Sequence, residues 1–274
     1  MNQFLTAFRY SIKEQITNKF VFGLLIVFVP LWYWVLGIIT PTNNVAFKFS
    51  ATGTYLQASG HDLTLISAGL NLLTMILGFM FFHSVQRSLE FDKRLIRAGF
   101  NRLTFMLANT LTLLAVTAAV ATYMVMMLVL FWHFPNNLLE VWLGFWLVSL
   151  TYGSLGRIMG LLLNSELPGF IFIVMFSMID VFLQNPLGNP AANKPFLQFF
   201  PSYSAMQLSV AGGFTHLFVG RQVMLALCWY LGFFAIALTI FFYRTRRLSS
   251  VTDQALKLHR EALAGEAAKI AYRP

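Results

Sequence analysis

The chain has 274 residues, of which 58% are hydrophobic and only 11% are Asp, Glu, Lys or Arg. Because a soluble domain has about a quarter of its residues charged, this composition excludes an ordinary soluble protein and indicates a chain embedded in lipid. The net charge of +9 could indicate nucleic acid, but the positions of the cations favour membrane topology and no nucleic acid partner. The single cysteine, Cys228, excludes an internal disulfide and a multi-cysteine metal site.

Six continuous apolar runs follow one another along the chain, and each has about the length that crosses a bilayer as a helix. They cover residues 20–40, 62–83, 103–132, 138–163, 167–184 and 222–243. The sequence therefore predicts an all-α integral membrane protein, in which residues 20–243 form a transmembrane domain of six helices.

The stretch ahead of the first run, residues 1–19, predicts an amphipathic helix that lies on the cytoplasmic membrane surface. Its large apolar side chains recur at helical spacing: Phe4, Leu5, Phe8, Ile12 and Ile16. Arg9 and Lys13 lie off this stripe, as expected for a helix with one face in lipid and one in water. The alternative is a cytoplasmic extension of the first span. No apolar core of a signal peptide precedes these charges.

The cations are distributed unevenly between the two sides that six spans define. If both termini are cytoplasmic, the inner side holds 16 of the 19 Lys and Arg residues, and the outer side holds Lys48, Lys194 and Arg221. This asymmetry predicts a multi-pass protein of the plasma (inner) membrane with both termini cytoplasmic. The tail, residues 244–274, is rich in Ala, Leu, Lys and Glu and predicts a short cytoplasmic helix.

A cytoplasmic loop over residues 84–102 separates the second and third runs and carries a dense charge cluster. The charged residues ahead of its turn are Arg87, Glu90, Asp92, Lys93, Arg94 and Arg97. A role in topology explains the cations. It does not explain the two acids or the apolar residues among them. The mixture indicates a short helix and a turn, residues 98–101, that bind a protein partner.

The fourth run carries small residues at helical spacing: Ser149, Gly153, Gly156 and Gly160. Residues 156–160 read GRIMG, a GxxxG pattern that lets helices approach closely in lipid. This packing lies either within one subunit or across a dimer. Arg157 lies in the inner part of the same run, from which its side chain can extend to the cytoplasmic face.

Residues 185–221 form an outer segment that is too apolar for a free loop and too rich in Pro and Gly for a single span. The segment predicts two short re-entrant helices that are sheltered by protein. Just ahead of it, Asp180 is the only acid well inside a predicted span. A membrane-embedded acid indicates either substrate contact or a hydrogen-bonded structural role.

Signatures of nucleotide and zinc sites are missing, since the sequence has neither a GxxxxGK[ST] run nor an HExxH run. The five histidines show no pair at the spacing of metal ligands. An intramembrane protease is an alternative, and its nearest serine motifs are QASGH at 57–61 and YGSLG at 152–156. We expect the first to be a loop outside the membrane. The second has no matching buried histidine in a later span and fits a packing face.

The order of these features resembles that of type-2 ABC export permeases, the membrane subunits of ATP-driven exporters. In that family a cytoplasmic Glu, basic residues, Leu-rich residues and a small-residue turn ending in a cation precede the third span. LEFDKRLIRAGFNRLTFMLANTL follows this order with Glu90, Arg94, Leu95 and Arg102, although the turn lacks the Pro that is frequent in the family. The outer NPLGNP and FFPSYSAMQLSVAGGF resemble the family's spaced prolines and its Pro-Ser-Tyr element, here Pro201 to Tyr203.

The resemblance implies a permease that performs no covalent chemistry. A separate ABC ATPase subunit, which holds ATP and magnesium, would bind a coupling helix at about residues 86–98. Two permease subunits, identical or related, would line a path across the lipid bilayer. The outer segment would form its exit gate, with Asp180, Pro201 and Tyr203 as candidate path or gate residues.

The cargo is predicted to be amphipathic, drug-like or lipid-like, because Met- and Phe-rich spans suit such solutes. The chief alternative cargo is a polysaccharide or a lipid-linked glycan, whose paths carry rows of aromatic residues. Trp32, Tyr33 and Trp34 lie in the middle of the first run but do not decide between the two. Buried ionisable residues are almost absent from the spans, which weakens a proton- or sodium-driven mechanism.

Overall fold

The computed structural model of the chain describes residues 3–97, 99–132, 135–163, 165–189, 192 and 194–244, apart from the side chains of Phe20 and Arg97. The helix predicted for the tail lies outside these residues. Six described helices are long and apolar enough to cross a membrane, which confirms the predicted all-α, multi-pass architecture. We call them the first to sixth spans: Val21–Ile39, Gly60–Arg97, Arg102–Phe131, Leu138–Leu162, Glu166–Gln184 and Gly220–Arg244.

The second span is much longer than the sequence predicts. Its 38 residues correspond to about 57 Å of helix, whereas a bilayer core of about 30 Å needs only about 20 residues. Residues 84–97 therefore continue the helix out of the membrane instead of forming a loop with a separate short helix. The physical reason is that no Gly or Pro interrupts the sequence between Gly78 and Gly99.

The second and fourth spans form the core of the bundle. In the most apolar stretch of each of these two helices, 78% and 72% of the residues are buried. The corresponding shares are 17% for the first span and 11% for the sixth. The first and sixth spans therefore lie at the periphery, where their apolar side chains are available to lipid.

The first span contains a π-helical turn whose cause is Pro30. The turn diverts the Val29 N–H to the carbonyl of Leu24, and Pro30 has no N–H to offer the carbonyl of Leu25. The Tyr123 hydroxyl, from the third span, donates to that Leu25 carbonyl at 2.8 Å. A side chain of a neighbouring span thus satisfies the backbone group that the proline leaves without a donor.

A surface helix, Gln3–Ile16, precedes the first span, as predicted. Its buried face consists of Ala7, Ser11 and Gln15, which are small or polar and pack against the bundle. Phe4 and Phe8 of the apolar stripe also pack against the bundle, whereas Leu5 and Ile16 of the same stripe are exposed. This division gives the helix one face for the bundle and another for the lipid surface.

An antiparallel hairpin connects the first and second spans, and the apolar pattern of the sequence does not predict it. Its strands, Asn44–Lys48 and Tyr55–Ser59, pair in the register Ala46 with Gln57. The serine motif at 57–61 therefore begins in a strand and not in a loop. We call this end of the bundle the hairpin end, and the end that carries the surface helix the basic end.

The outer segment contains two short helices, as predicted: a 3₁₀ helix, Pro195–Phe199, and an α-helix, Tyr203–Phe214, which we call the outer helix. Residues 203–213 are all buried, although the outer helix is only about 18 Å long. Close packing on the fourth span requires glycine: a Cβ added at Gly212 would lie 2.6 Å from Glu140 Cβ. Protein therefore shelters this helix on its whole circumference.

Candidate functional site

The extension of the second span presents a charged stripe, which we call the exposed stripe. Arg87, Glu90, Phe91 and Arg94 are exposed and follow the i, i+3, i+4, i+7 spacing of one helix face. Lys93 donates to Glu90 Oε1 at 2.6 Å, one turn along the helix. Aromatic and arginine side chains are enriched in protein interfaces, so the composition of this face suits a protein partner.

Asp92 and Arg97, which the sequence groups with these residues, are not part of the stripe. Asp92 is only 9% exposed, and its Oδ2 accepts a hydrogen bond from Ser88 Oγ at 3.0 Å on the opposite face. The side chain of Arg97 lies outside the described residues. The extension thus divides its charges between an outward stripe and an inward carboxylate.

The surface helix braces the extension from one side. The rings of Tyr10 and Phe91 stack with centroids 4.9 Å apart. Gln15 Nε2 donates to Ser84 Oγ at 2.7 Å, and that hydroxyl donates to Glu14 Oε1 at 3.2 Å. A push on the exposed stripe would therefore reach the surface helix through direct contacts.

A tight turn links the extension to the third span. Gly99 has a φ of +91°, a conformation that glycine adopts without steric cost, and its N–H donates to the carbonyl of Ile96 at 3.1 Å. Asn101 caps the third span, because its side chain accepts from the N–H of Leu103 at 2.9 Å. A glycine with positive φ and an asparagine cap therefore form this turn without a proline.

A cavity lies at the basic end between the surface helix and the second, third, fourth and sixth spans. The volume open to the centres of water molecules is about 80 Å³, enough for several waters. Its polar wall includes Glu14, Gln15 and Asp92. Gln15 is 5% exposed, and its Oε1 accepts no hydrogen bond from the described residues. Burial raises the pKa of the Glu14 carboxyl above its ordinary value.

Arg157 forms the deepest charged part of this cavity. Its guanidinium donates to the carbonyl of Asn109 and lies 5.0 Å from the centre of the Phe81 ring. No carboxylate of the described residues forms an ion pair with it. The side chain thus faces the cavity, where four of its five N–H donors make no hydrogen bond to described residues.

Asp180 lies in a sealed polar junction near the hairpin end. Its side chain is fully buried and accepts three hydrogen bonds: from the Tyr152 hydroxyl at 2.5 Å, from the Ser202 N–H at 3.0 Å and from the Ser202 hydroxyl at 2.7 Å. The carboxylate therefore ties the fourth and fifth spans to the start of the outer helix.

This junction brings the three predicted path or gate residues together. Pro201 and Tyr203, both buried, flank Ser202, the residue that contacts Asp180. The sequence pattern assigns the gate role to Pro201 and Tyr203, whereas the two donors to Asp180 are Ser202, which lies between them, and Tyr152, which the pattern does not indicate. The available signal was physical: an acid deep in an apolar span needs hydroxyl or N–H donors, and the serine in Pro-Ser-Tyr supplies both.

The glycine face of the fourth span packs inside this subunit. A Cβ at Gly156 would overlap the backbone carbonyl of Gly78 in the second span, and a Cβ at Gly160 would lie 2.7 Å from Val85 Cβ. A Cβ at Gly153 would lie 2.7 Å from Leu113 Cδ1 in the third span and 3.0 Å from Phe81 Cδ2 in the second. Of the two alternatives left open by the sequence, the structure places this face within one subunit.

The serine motifs do not form a nucleophile–base pair within the described residues. Ser154 Oγ is buried and has no hydrogen-bond partner there. His61, two residues after Ser59, shares a hydrogen bond with Thr40 through Nδ1 at 2.6 Å. Neither serine thus has a histidine bonded to its hydroxyl.

Fold and sites together define a six-span, all-α membrane protein with a charged helical extension at one end and a sealed polar junction near the other. No protein-family model matches the chain, and no curated protein matches it.

Proposed function

We propose that the chain is the permease subunit of an ATP-driven exporter that moves an amphipathic, drug-like or lipid-like solute out of the cell. The observation that carries this proposal is the exposed stripe. It stands on a rigid helix that continues from the core of the bundle, so a force applied to it would act directly on the second span. The resemblance to type-2 ABC export permeases assigns the coupling helix to the same stretch.

The orientation that accompanies this proposal places the basic end in the cytoplasm of the cell and the hairpin end outside. The support is the cation asymmetry, because the basic end carries the surface helix, the extension and Arg244, whereas Lys48 and Arg221 lie at the hairpin end. The membrane would be the plasma (inner) membrane, where an ATPase in the cytoplasm can reach the exposed stripe.

Energy from a separate ATPase subunit fits the state of the buried charges. Asp180 is occupied by three hydrogen bonds, and Arg157 donates to a backbone carbonyl. Among the described residues, the one ionisable side chain that is hydrogen-bonded to either charge is Tyr152, through its hydroxyl on Asp180, and no relay of such side chains crosses the membrane. A proton- or sodium-driven carrier uses such intramembrane relays.

An amphipathic solute is favoured over a glycan by the aromatic residues of the first span. Trp32 and Trp34 are 37% and 56% exposed on the outside of the subunit, whereas Tyr33 is buried in the core. These three rings therefore do not form one continuous row. The solute path would lie between two permease subunits, with the outer helix and its Asp180 junction as the exit gate.

Purification of the tagged chain from its native membranes in mild detergent tests this function. We expect a soluble subunit with a P-loop to co-purify and the complex to hydrolyse ATP. A subunit carrying both Glu90→Lys and Arg94→Glu serves as the control, because it keeps the net charge but reverses the pattern of the stripe. Purification of an intact wild-type protein with no ATPase attached, and no P-loop reading frame beside its gene, would contradict the proposal.

A further inference from the structure

The cavity at the basic end has opposite charges at different depths. Depth can be read along the second span, where Phe81 lies beside Arg157, Ser84 is bonded to Glu14, and Ser88 to Asp92. At 1.5 Å per residue, the Glu14 level lies about 4.5 Å closer to the basic end than the Arg157 level. The positive charge is therefore deep and the negative charges are shallow.

These charges are incompletely satisfied by the protein. Arg157 has no carboxylate partner among the described residues, and Gln15 Oε1 is a buried acceptor without a donor. Ser88 is the one hydrogen-bond donor to Asp92 in the described part of the chain. Because unsatisfied buried polar groups are costly, this arrangement indicates that a ligand or ordered water completes them.

Most of the remaining wall is apolar, although Asn109, Thr110 and Thr112 of the third span also line it. It includes Phe105 and Leu161 from the third and fourth spans and Phe234, Leu238 and Phe241 from the sixth span. The sixth span is the least buried of the six, so it separates the cavity from lipid by a single helix. A molecule with its apolar part in the bilayer would therefore have to pass only the sixth span to reach the polar wall from the side.

The geometry points to a binding site for a zwitterionic phospholipid, with the phosphate on Arg157 and the ammonium group towards Glu14, Gln15 Oε1 and Asp92. In such a lipid, a two-carbon linker joins the phosphate to the ammonium group. The phosphate lies deeper, at the level of Arg157, and the ammonium group lies nearer the basic end, at the level of the carboxylates. In a leaflet whose headgroups face the basic end, the acyl chains point to the membrane centre and the ammonium group lies nearest the water.

Ligands of a single charge fit this wall less well. A simple anion at Arg157 would lie near the carboxylates of Glu14 and Asp92, and a simple cation beside them would lie near the guanidinium of Arg157. As a site for the transported solute this inference rests on the proposed function, whereas binding itself is a property of the chain alone.

Binding is tested with the purified full chain in detergent, without any ATPase. The probes are a lysophosphatidylethanolamine, a lysophosphatidic acid without the amine and an alkylammonium without the phosphate. We expect the first to bind at least tenfold more tightly than either of the others, measured by native mass spectrometry. Arg157→Gln should weaken its binding about tenfold or more.

Two further variants separate the two charges. Glu14→Gln should remove most of the preference for the zwitterion over the lysophosphatidic acid. Arg221→Gln, at an exposed cation of the hairpin end, should change neither the binding of the zwitterion nor this preference. Equal binding of the zwitterion and the lysophosphatidic acid in the wild type would overturn the proposal, as would equal binding of the alkylammonium. If Arg157→Gln does not fold, the probe preference of the wild type and of Glu14→Gln still decides. Absence of binding would refute the lipid site and leave the ATPase test above unaffected.

Discussion

Two buried aspartates at opposite ends of the bundle differ in how well the protein satisfies them. Asp180, near the hairpin end, accepts three hydrogen bonds and is fully buried. Asp92, at the basic end, accepts one from Ser88 and borders a cavity. An aspartate thus links three helices through hydrogen bonds at one end, whereas at the other end an aspartate forms part of the polar wall of a cavity.

This difference separates what holds the subunit together from what can exchange partners. The Asp180 junction ties the outer helix to the bundle, so the start of this helix can move away from the fifth span only by breaking the two hydrogen bonds from Ser202 to Asp180. The basic end combines the exposed stripe with incompletely satisfied charges behind it. We therefore expect ligands and partners to bind at the basic end, and the outer helix at the hairpin end to move in consequence.

The largest effect should come from the contact between the second and fourth spans, on which both ends depend. Gly156→Leu would force a side chain into the backbone of Gly78, and overpacking of this kind costs about 1–3 kcal/mol or more. We expect loss of most folded protein in the membrane, measured by fluorescence-detected size exclusion. Gly232→Leu is the control, because a Cβ at Gly232 has no neighbour within 4 Å. Equal yields of the two variants would contradict the packing described above.

The second effect concerns the two aspartates directly. Asp180→Ala would leave the Tyr152 hydroxyl and the Ser202 N–H and hydroxyl buried without an acceptor, at about 1–3 kcal/mol for each unsatisfied group. Asp92→Ala would leave only the Ser88 hydroxyl, which can turn to the cavity. Thermal unfolding in detergent should show a clearly larger loss for Asp180→Ala. A larger loss for Asp92→Ala would reverse the comparison.

A third effect sharpens the assignment of the exposed stripe. Glu90→Ala and Arg94→Ala should leave unfolding temperature and membrane level nearly unchanged, because surface substitutions stay within about 0.5 kcal/mol. Transport-linked ATP hydrolysis should fall about tenfold, which corresponds to about 1.4 kcal/mol of lost coupling. Arg221→Ala, an exposed cation at the hairpin end, provides the control. Unchanged hydrolysis in both stripe variants would remove the coupling role.

The smallest effect is a pH dependence at the basic end. Burial raises the pKa of Glu14 above its ordinary value of 4.5, so the folded state binds more protons than the unfolded state between the two values. The contribution of Glu14 to stability is therefore fully present below pH 4.5 and is lost as the pH rises through its raised pKa. In lipid-free detergent, Glu14→Gln should unfold with a weaker dependence on pH over this range. An unchanged pH profile would show that Glu14 does not titrate in this way.

The six spans follow from the sequence because long apolar runs have one stable form in lipid. The hairpin does not, since its five-residue strands carry too short a pattern. Helical periodicity places Asp92 on the face opposite the exposed stripe, but only if the second span is known to remain helical as far as Arg97. The partners of Asp180 lie 22 and 28 residues away, and such tertiary pairing is not encoded in local spacing.

Cross-linking from the exposed stripe tests the central claim most directly. Phe91→Cys in a Cys228→Ser background places one thiol at the centre of the stripe, and Phe218→Cys, 66% exposed at the hairpin end, is the matched control. A thiol-to-amine cross-linker is applied to native membranes and the products are identified by mass spectrometry. We predict that Phe91→Cys cross-links to a soluble P-loop ATPase and that Phe218→Cys does not. Equal cross-linking from both positions, or none from Phe91→Cys, would contradict the assignment of the stripe as the site of ATPase coupling.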